Sequence, residues 1–126
     1  MSMDTRTKKG PSRLSRQLRL LSLFVCAGAA CASATVVNTG SSTISSINAY
    51  TELGSGDVIF QLTTNGISAC NLGFWIRATD PGAKTVVAEI LAAYHNGMPV
   101  VVAADNATIW SGSTSGSACL VVAVVS

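Results

Sequence analysis

The sequence predicts a small, mainly β domain carrying one helix, its elements in the order β-β-β-α-β-β. Three observations carry this. Residues 80–99, DPGAKTVVAEILAAYHNGMP, hold an apolar stripe at helical spacing with a stop signal at the end. Residues 58–63, VIFQLT, alternate with the period of two that a half-buried strand requires. Residues 99–105 and 118–126, PVVVAAD and ACLVVAVVS, are short β-branched runs bounded by turn residues.

Residues 1–34 read as a leader outside the fold. Six basic residues, Arg6, Lys8, Lys9, Arg13, Arg16 and Arg19, precede an apolar stretch that ends in Ala32-Ser33-Ala34. A basic start, a short apolar core and a small-x-small cleavage site describe a secretory signal peptide. The apolar core falls short of the ~20 residues a membrane helix needs, so no membrane span is expected. The remaining domain, residues 35–126, is then secreted or periplasmic. A lipid anchor on Cys31 is the weaker reading, because Gly28 stands where a lipobox has leucine.

Residues 35–42 read as a flexible lead-in. TISSINAY (43–50) is a polar-leaning strand in which Ile44 and Ile47 break strict alternation, as a bulge would cause. ELGSGD (52–57) is a turn, finished by Asp57. In the next strand Val58, Phe60 and Leu62 share one face. Asn65-Gly66 reads as a type I′ hairpin turn. It leads into one long strand, 67–78, with Cys70, Leu72, Phe74 and Ile76 inward and Asn71, Gly73, Trp75 and Arg77 outward. Asp80 is placed to cap the helix and Pro81 to start it. Gly97 is placed to end it, with Pro99 barring continuation. Ala83, Val86, Val87, Ile90, Leu91 and Tyr94 form the core stripe. Ala88 and Ala92 leave a second helix face unusually smooth. Residues 106–117 form a polar loop carrying Trp110, and 118–126 the last strand.

A helix between the third and fourth of five strands is the element order of the OB-fold, a small Greek-key barrel. A two-layer α+β sheet of the same order is the rival. Two cysteines, Cys70 and Cys119, remain after cleavage of the leader. Export favours their oxidation, and only one pairing is available. Two free buried thiols are the alternative.

Charge and reactive groups exclude more than they identify. The whole chain carries +2, but residues 35–126 set Arg77 and Lys84 against Glu52, Asp57, Asp80, Glu89 and Asp105, a net charge of −3. That lacks the basic stripe a nucleic acid requires. His95 is the single histidine and lies in the last helical turn, where it complements the helix dipole. There is no G-x-S-x-G elbow and no clustered metal-ligand spacing, so neither enzyme activity nor a metal or cofactor is expected.

The run GFWIRATDPGAKTVVAEILAAYHNGMPVVVAADNATIWSGS, followed by a late cysteine, resembles the B subunit of subtilase cytotoxin and its bacterial secreted relatives, over residues 42–125. The resemblance implies an OB-fold that assembles as a ring of five and binds cell-surface carbohydrate. In toxins such a ring carries a separate catalytic chain, whereas many relatives stand alone. The family's sugar-contacting serine at the start of the first strand corresponds to Ser42. The residues themselves add Trp75 beside Arg77, Trp110 in its polar loop, and Tyr50 at a strand end, each able to stack on a sugar or to pack structurally. The candidate ligand-binding set is therefore Ser42, Tyr50, Trp75, Arg77 and Trp110. The last strand is apolar on both faces, with Leu120, Val122 and Val124 as the expected outer row. Such a row and the smooth helix face suggest a homo-oligomer. The alternative is a stand-alone secreted protein-interaction domain.

Overall fold

The structure, a computed structural model, describes residues 35–126. The signal peptide expected over 1–34 lies outside the described residues. The fold is mainly β with one helix, as the sequence predicts. The described residues form six strands, not five: β1 (Val36–Asn38), β2 (Ile44–Ala49), β3 (Val58–Leu62), β4 (Gly73–Ile76), β5 (Val101–Ile109) and β6 (Ala118–Val125). Helix α1 (Ala83–Asn96) follows β4. The strands form one sheet in the order β1-β5-β6-β4-β3-β2. Every neighbouring pair is antiparallel except β4 and β6, which run parallel.

The added strand comes from the segment expected to be a flexible lead-in. Val36–Asn38 pair with Ala103–Asp105, and the contact continues beyond β1. The Thr39 amide donates to the Val102 carbonyl at 2.9 Å, while the Thr39 hydroxyl accepts from the Val102 amide at 2.9 Å. Ser42 and Val100 then exchange two backbone bonds, at 3.0 and 2.8 Å. A polar segment is held here by its backbone groups and by one hydroxyl, which hydropathy does not register.

The long strand expected over 67–78 is divided. Ser68–Cys70 form a 3-10 turn, and extended pairing begins only at Gly73. Gly73 has φ +99°, and a Cβ there would lie 2.3 Å from the Phe60 carbonyl oxygen. The chain enters β4 through this close approach to β3, which only glycine permits. Asn65-Gly66 does not make a type I′ turn. Gly66 has positive φ, but among the described residues none other than glycine does, so Asn65 lacks the conformation that turn demands. The Asn65 side chain instead donates to the Cys70 carbonyl.

The helix ends as predicted and starts later than predicted. Gly97 is left-handed at φ 61°; its amide donates to Tyr94 O, and the Met98 amide to Ala93 O at 2.9 Å. This pair of bonds is a Schellman motif. At the other end Gly82 occupies the cap position without a side-chain bond. Asp80 does not cap the helix. Its carboxylate faces Arg77 at 3.6 Å, and its carbonyl accepts from the Ala83 amide. The buried helical residues are Ala83, Ile90 and Ala93, with Val86 and Val87 packed beside them. Leu91 and Tyr94, expected inside, are 41% and 45% exposed. Ala93 and Tyr94 are both in register with Ile90, and the smaller one faces the sheet.

The main core lies between α1 and one sheet face. One row crosses the sheet from Ile47 through Phe60 and Phe74 to Cys119. The Phe60 and Phe74 rings stand 5.7 Å apart. Cys70 and Cys119 form the expected disulfide, fully buried. The bulge expected in the first sequence strand appears as a register shift between Ile44 and Ser46. A second shift explains the apolar outer row. Ala103 pairs with Ala123 and Ala104 with Val121, so Val122 is bulged out. Alternation slips there: Val121 and Val124 both pack on the core, Leu120 is half-buried, and Val122 and Val125 are exposed. Leu120, Val122 and Val124 therefore do not form one continuous face.

Candidate functional site

The sheet has a second packed face. Ile59 pairs with Trp75, and Trp75 with Leu120, so a row of large apolar side chains crosses β3, β4 and β6 opposite the main core. Trp110, just after β5, joins Ile59, Trp75 and Ala118 there, with Tyr50 and Leu72 beside them. Its amide is fixed by the Ala118 carbonyl at 2.9 Å.

Trp75 points away from the main core, as alternation predicts, yet it is only 6% exposed. Its indole N–H donates to the Thr108 carbonyl at 3.4 Å, and the Arg77 guanidinium lies 5.2 Å from its ring centroid. Trp75 is thus covered by its own chain. Arg77 is engaged by this ring and by Asp80. Trp110 is equally buried and not an exposed loop residue. Its indole N–H donates to Asp57 Oδ2 at 3.1 Å.

Asp57 is the residue that sequence reasoning undervalued. It does follow the turn after β2, but it is 4% exposed and connects two distant segments. Oδ2 accepts from Trp110, and Oδ1 accepts from the Ala78 amide at 3.2 Å. Gly54, at φ +63°, comes so close that a Cβ there would overlap the Asp57 carboxylate. No sequence signal marks the carboxylate as an anchor. The glycines flanking it are the sole trace.

Around this anchor lies a cleft of about 320 Å³ between the turn following β2 and the loop 111–117. Tyr50, Trp110, Ile59 and Leu72 form its apolar part. The Tyr50 and Trp110 rings are 5.2 Å apart and tilted by 35°. Asn48 and Gln61 supply amides, and Ser113, Thr114 and Ser115 supply hydroxyls. Of the predicted set, Tyr50 and Trp110 meet in this cleft. Trp75 and Arg77 lie outside its lining, and so does Ser42. Ser42 is 8% exposed, and its hydroxyl accepts from the Thr64 amide at 2.9 Å, tying the chain just before β2 to the segment after β3. The sequence missed Asn48, Gln61 and the hydroxyls of 113–115, which read as ordinary strand and loop polarity.

Asp105 shapes the segment that covers Trp75. Its carboxylate accepts from the Thr108 hydroxyl at 2.6 Å and the Ala107 amide at 2.9 Å. These bonds, the Thr108 hydroxyl first, hold its pKa below the ordinary aspartate value. A lowered folded pKa contributes stability that is fully present above the unfolded value of ~3.9. That stability is lost as pH falls below there and through the folded value. The acid arm of the stability–pH curve, followed by circular-dichroism melts, is therefore expected to flatten in Asp105→Asn. An acid arm identical to wild type would show that these bonds do not distinguish the charged form.

Among the described residues no group of three or more His, Cys, Asp or Glu could hold a metal ion. His95 is exposed at the end of α1, beside Tyr94. Among the described residues no helix is long and apolar enough to cross a membrane. Compared with known proteins, the chain matches no family model, no curated protein and no solved structure.

Proposed function

We propose that this domain is a secreted, non-enzymatic binding subunit that acts as a homo-oligomer and takes a glycan in the cleft over Tyr50 and Trp110. One observation carries the reading: an aromatic pair lies in one cleft with uncharged amides and hydroxyls. Sugars present an apolar C–H face to a ring and hydroxyls to such groups. No lysine or arginine lines the cleft, which disfavours the phosphates of a nucleic acid. The buried disulfide is consistent with an oxidising compartment.

The OB-like barrel belongs to the same proposal. Its support is the helix position, the parallel β4–β6 pair, and the Ser42–Val100 bridge that brings the chain before β2 onto β5. In that barrel fold, ligands lie between the loop joining the first two strands and the loop joining the last two; with β2 counted as the first barrel strand, these are the β2–β3 turn and residues 111–117, between which this cleft lies.

A glycan array with the oxidised protein tests the reading. Positive sugars are expected to lose about tenfold in affinity, near 1.4 kcal/mol, in Tyr50→Ala and in Asn48→Ala. A silent array, or hits indifferent to both substitutions, would overturn it. Light scattering tests the assembly separately, and a monomer at micromolar concentration rules the oligomer out. The exposed Leu91, Tyr94 and Met98 on and after α1 favour the second reading, a stand-alone protein-interaction domain.

A further inference from the structure

A second cleft, of about 480 Å³, lies between α1 and the turn that precedes β3. Its walls are apolar: Val58 and Ile76 from the sheet, Val87 and Leu91 from the helix. Its volume depends on small residues. Ala83 and Ala88 stand where longer side chains would fill it. The smooth helix face noted in the sequence is therefore one side of a concavity.

One ionisable group lines this cleft, Lys84. Residues 35–126 hold two cations, and the other, Arg77, is engaged by Asp80 and Trp75. Lys84 makes no ion pair among the described residues. Glu89, farther along α1, accepts from the Ser126 hydroxyl and does not line the cleft. A free ammonium thus borders an apolar hollow that presents no competing carboxylate.

We infer that this cleft binds an amphipathic monocarboxylate, an aliphatic chain lying on the apolar walls with its carboxylate at Lys84. The size falls within the ~300–1,000 Å³ of small-molecule sites. A lone ammonium matches one negative charge better than a phosphate carrying two. Burial of the chain supplies the affinity, and the charge-assisted bond sets its direction. The site is separate from the Tyr50–Trp110 cleft and does not depend on the glycan reading.

The probe is decanoate, with decanol as its neutral counterpart, titrated into ¹⁵N-labelled protein. Saturable amide shifts are expected at Val58, Ile76, Ala83, Val87 and Leu91. Lys84→Met, which keeps the aliphatic stem, is expected to weaken decanoate about tenfold and to leave decanol unchanged; Lys84 is exposed, so folding is retained and circular dichroism verifies it. Equal decanoate affinity in Lys84→Met overturns the proposal. So do shifts centred on the Tyr50–Trp110 cleft or scattered as in general adsorption. Wild type that ignores decanoate also overturns it. If Ala88→Glu then lowers the solution mass, the occupant is a second copy of this chain.

Discussion

Replacing Cys70 and Cys119 together by alanine is expected to cost about 4 kcal/mol. The bond spans 49 residues, and closing a loop of that length restricts the unfolded chain by roughly this amount. A domain of this size has ~5–15 kcal/mol in total, so the reduced protein stands near the edge of folding. The location adds to the effect. The bond fastens the 3-10 turn ahead of β4 to β6, deep in the main core, and both sulfurs are shielded from solvent. Urea titration of the oxidised protein and the double variant measures the difference directly. The midpoint should fall sharply. A shared midpoint with the same slope would show that the turn and β6 hold together by packing alone.

Asp57→Ala is the single substitution with the largest expected effect among the polar residues, a loss of about 2–4 kcal/mol. Removing the carboxylate leaves the Trp110 indole N–H and the Ala78 amide without their partner in a buried position. Each stranded donor costs about 1–3 kcal/mol. Trp110→Phe removes the indole donor instead and should be milder. The two changes act on one hydrogen bond, so their effects are expected to fall short of additive by about 0.5–3 kcal/mol in a double-mutant cycle. Equilibrium denaturation gives all four corners of the cycle. Strict additivity would mean that the Asp57–Trp110 bond does not hold the cleft together. Tryptophan fluorescence offers a second readout, because Tyr50 and Trp110 should separate once the anchor is gone.

What could be read from the sequence follows a physical division. The C-terminal end of α1 was legible because Gly97 and Pro99 act locally through backbone conformation. The N-terminal end was not. Asp80 can cap a helix, but here Arg77 and a turn bond claim it, and three-dimensional proximity decides between the two. The disulfide was legible by elimination of other partners. Strand faces were legible where alternation is unbroken, as at Val58, Phe60 and Leu62. They failed at Val122, since a bulge leaves no mark in a run of valines. Alternation puts Trp75 on its correct side of the sheet but leaves open whether it stacks on a ligand or packs, and it packs. Alternation says where a side chain points and not what later chain folds over it. At the candidate site, Tyr50 and Trp110 stood out by residue type. Asn48, Gln61 and Asp57 did not, because a polar residue in a strand or turn becomes distinctive only through its neighbours in space.

The position of β6 has a consequence for how the domain comes into being. Within the sheet it is the strand between β5 and β4, although it comes last of the described strands in chain order. Until residues 118–125 are available, β1 and β5 form one ribbon and β2, β3 and β4 another, and the backbone of β4 has an unfilled edge. The Cys70 thiol waits for Cys119 over the same interval. Folding during synthesis would therefore stall short of a native sheet until residues 118–125 emerge, and the segment before them would stay threadable over that interval. A sheet whose inner strand follows all its neighbours in the chain closes in a single step, on whichever side of a membrane that step occurs.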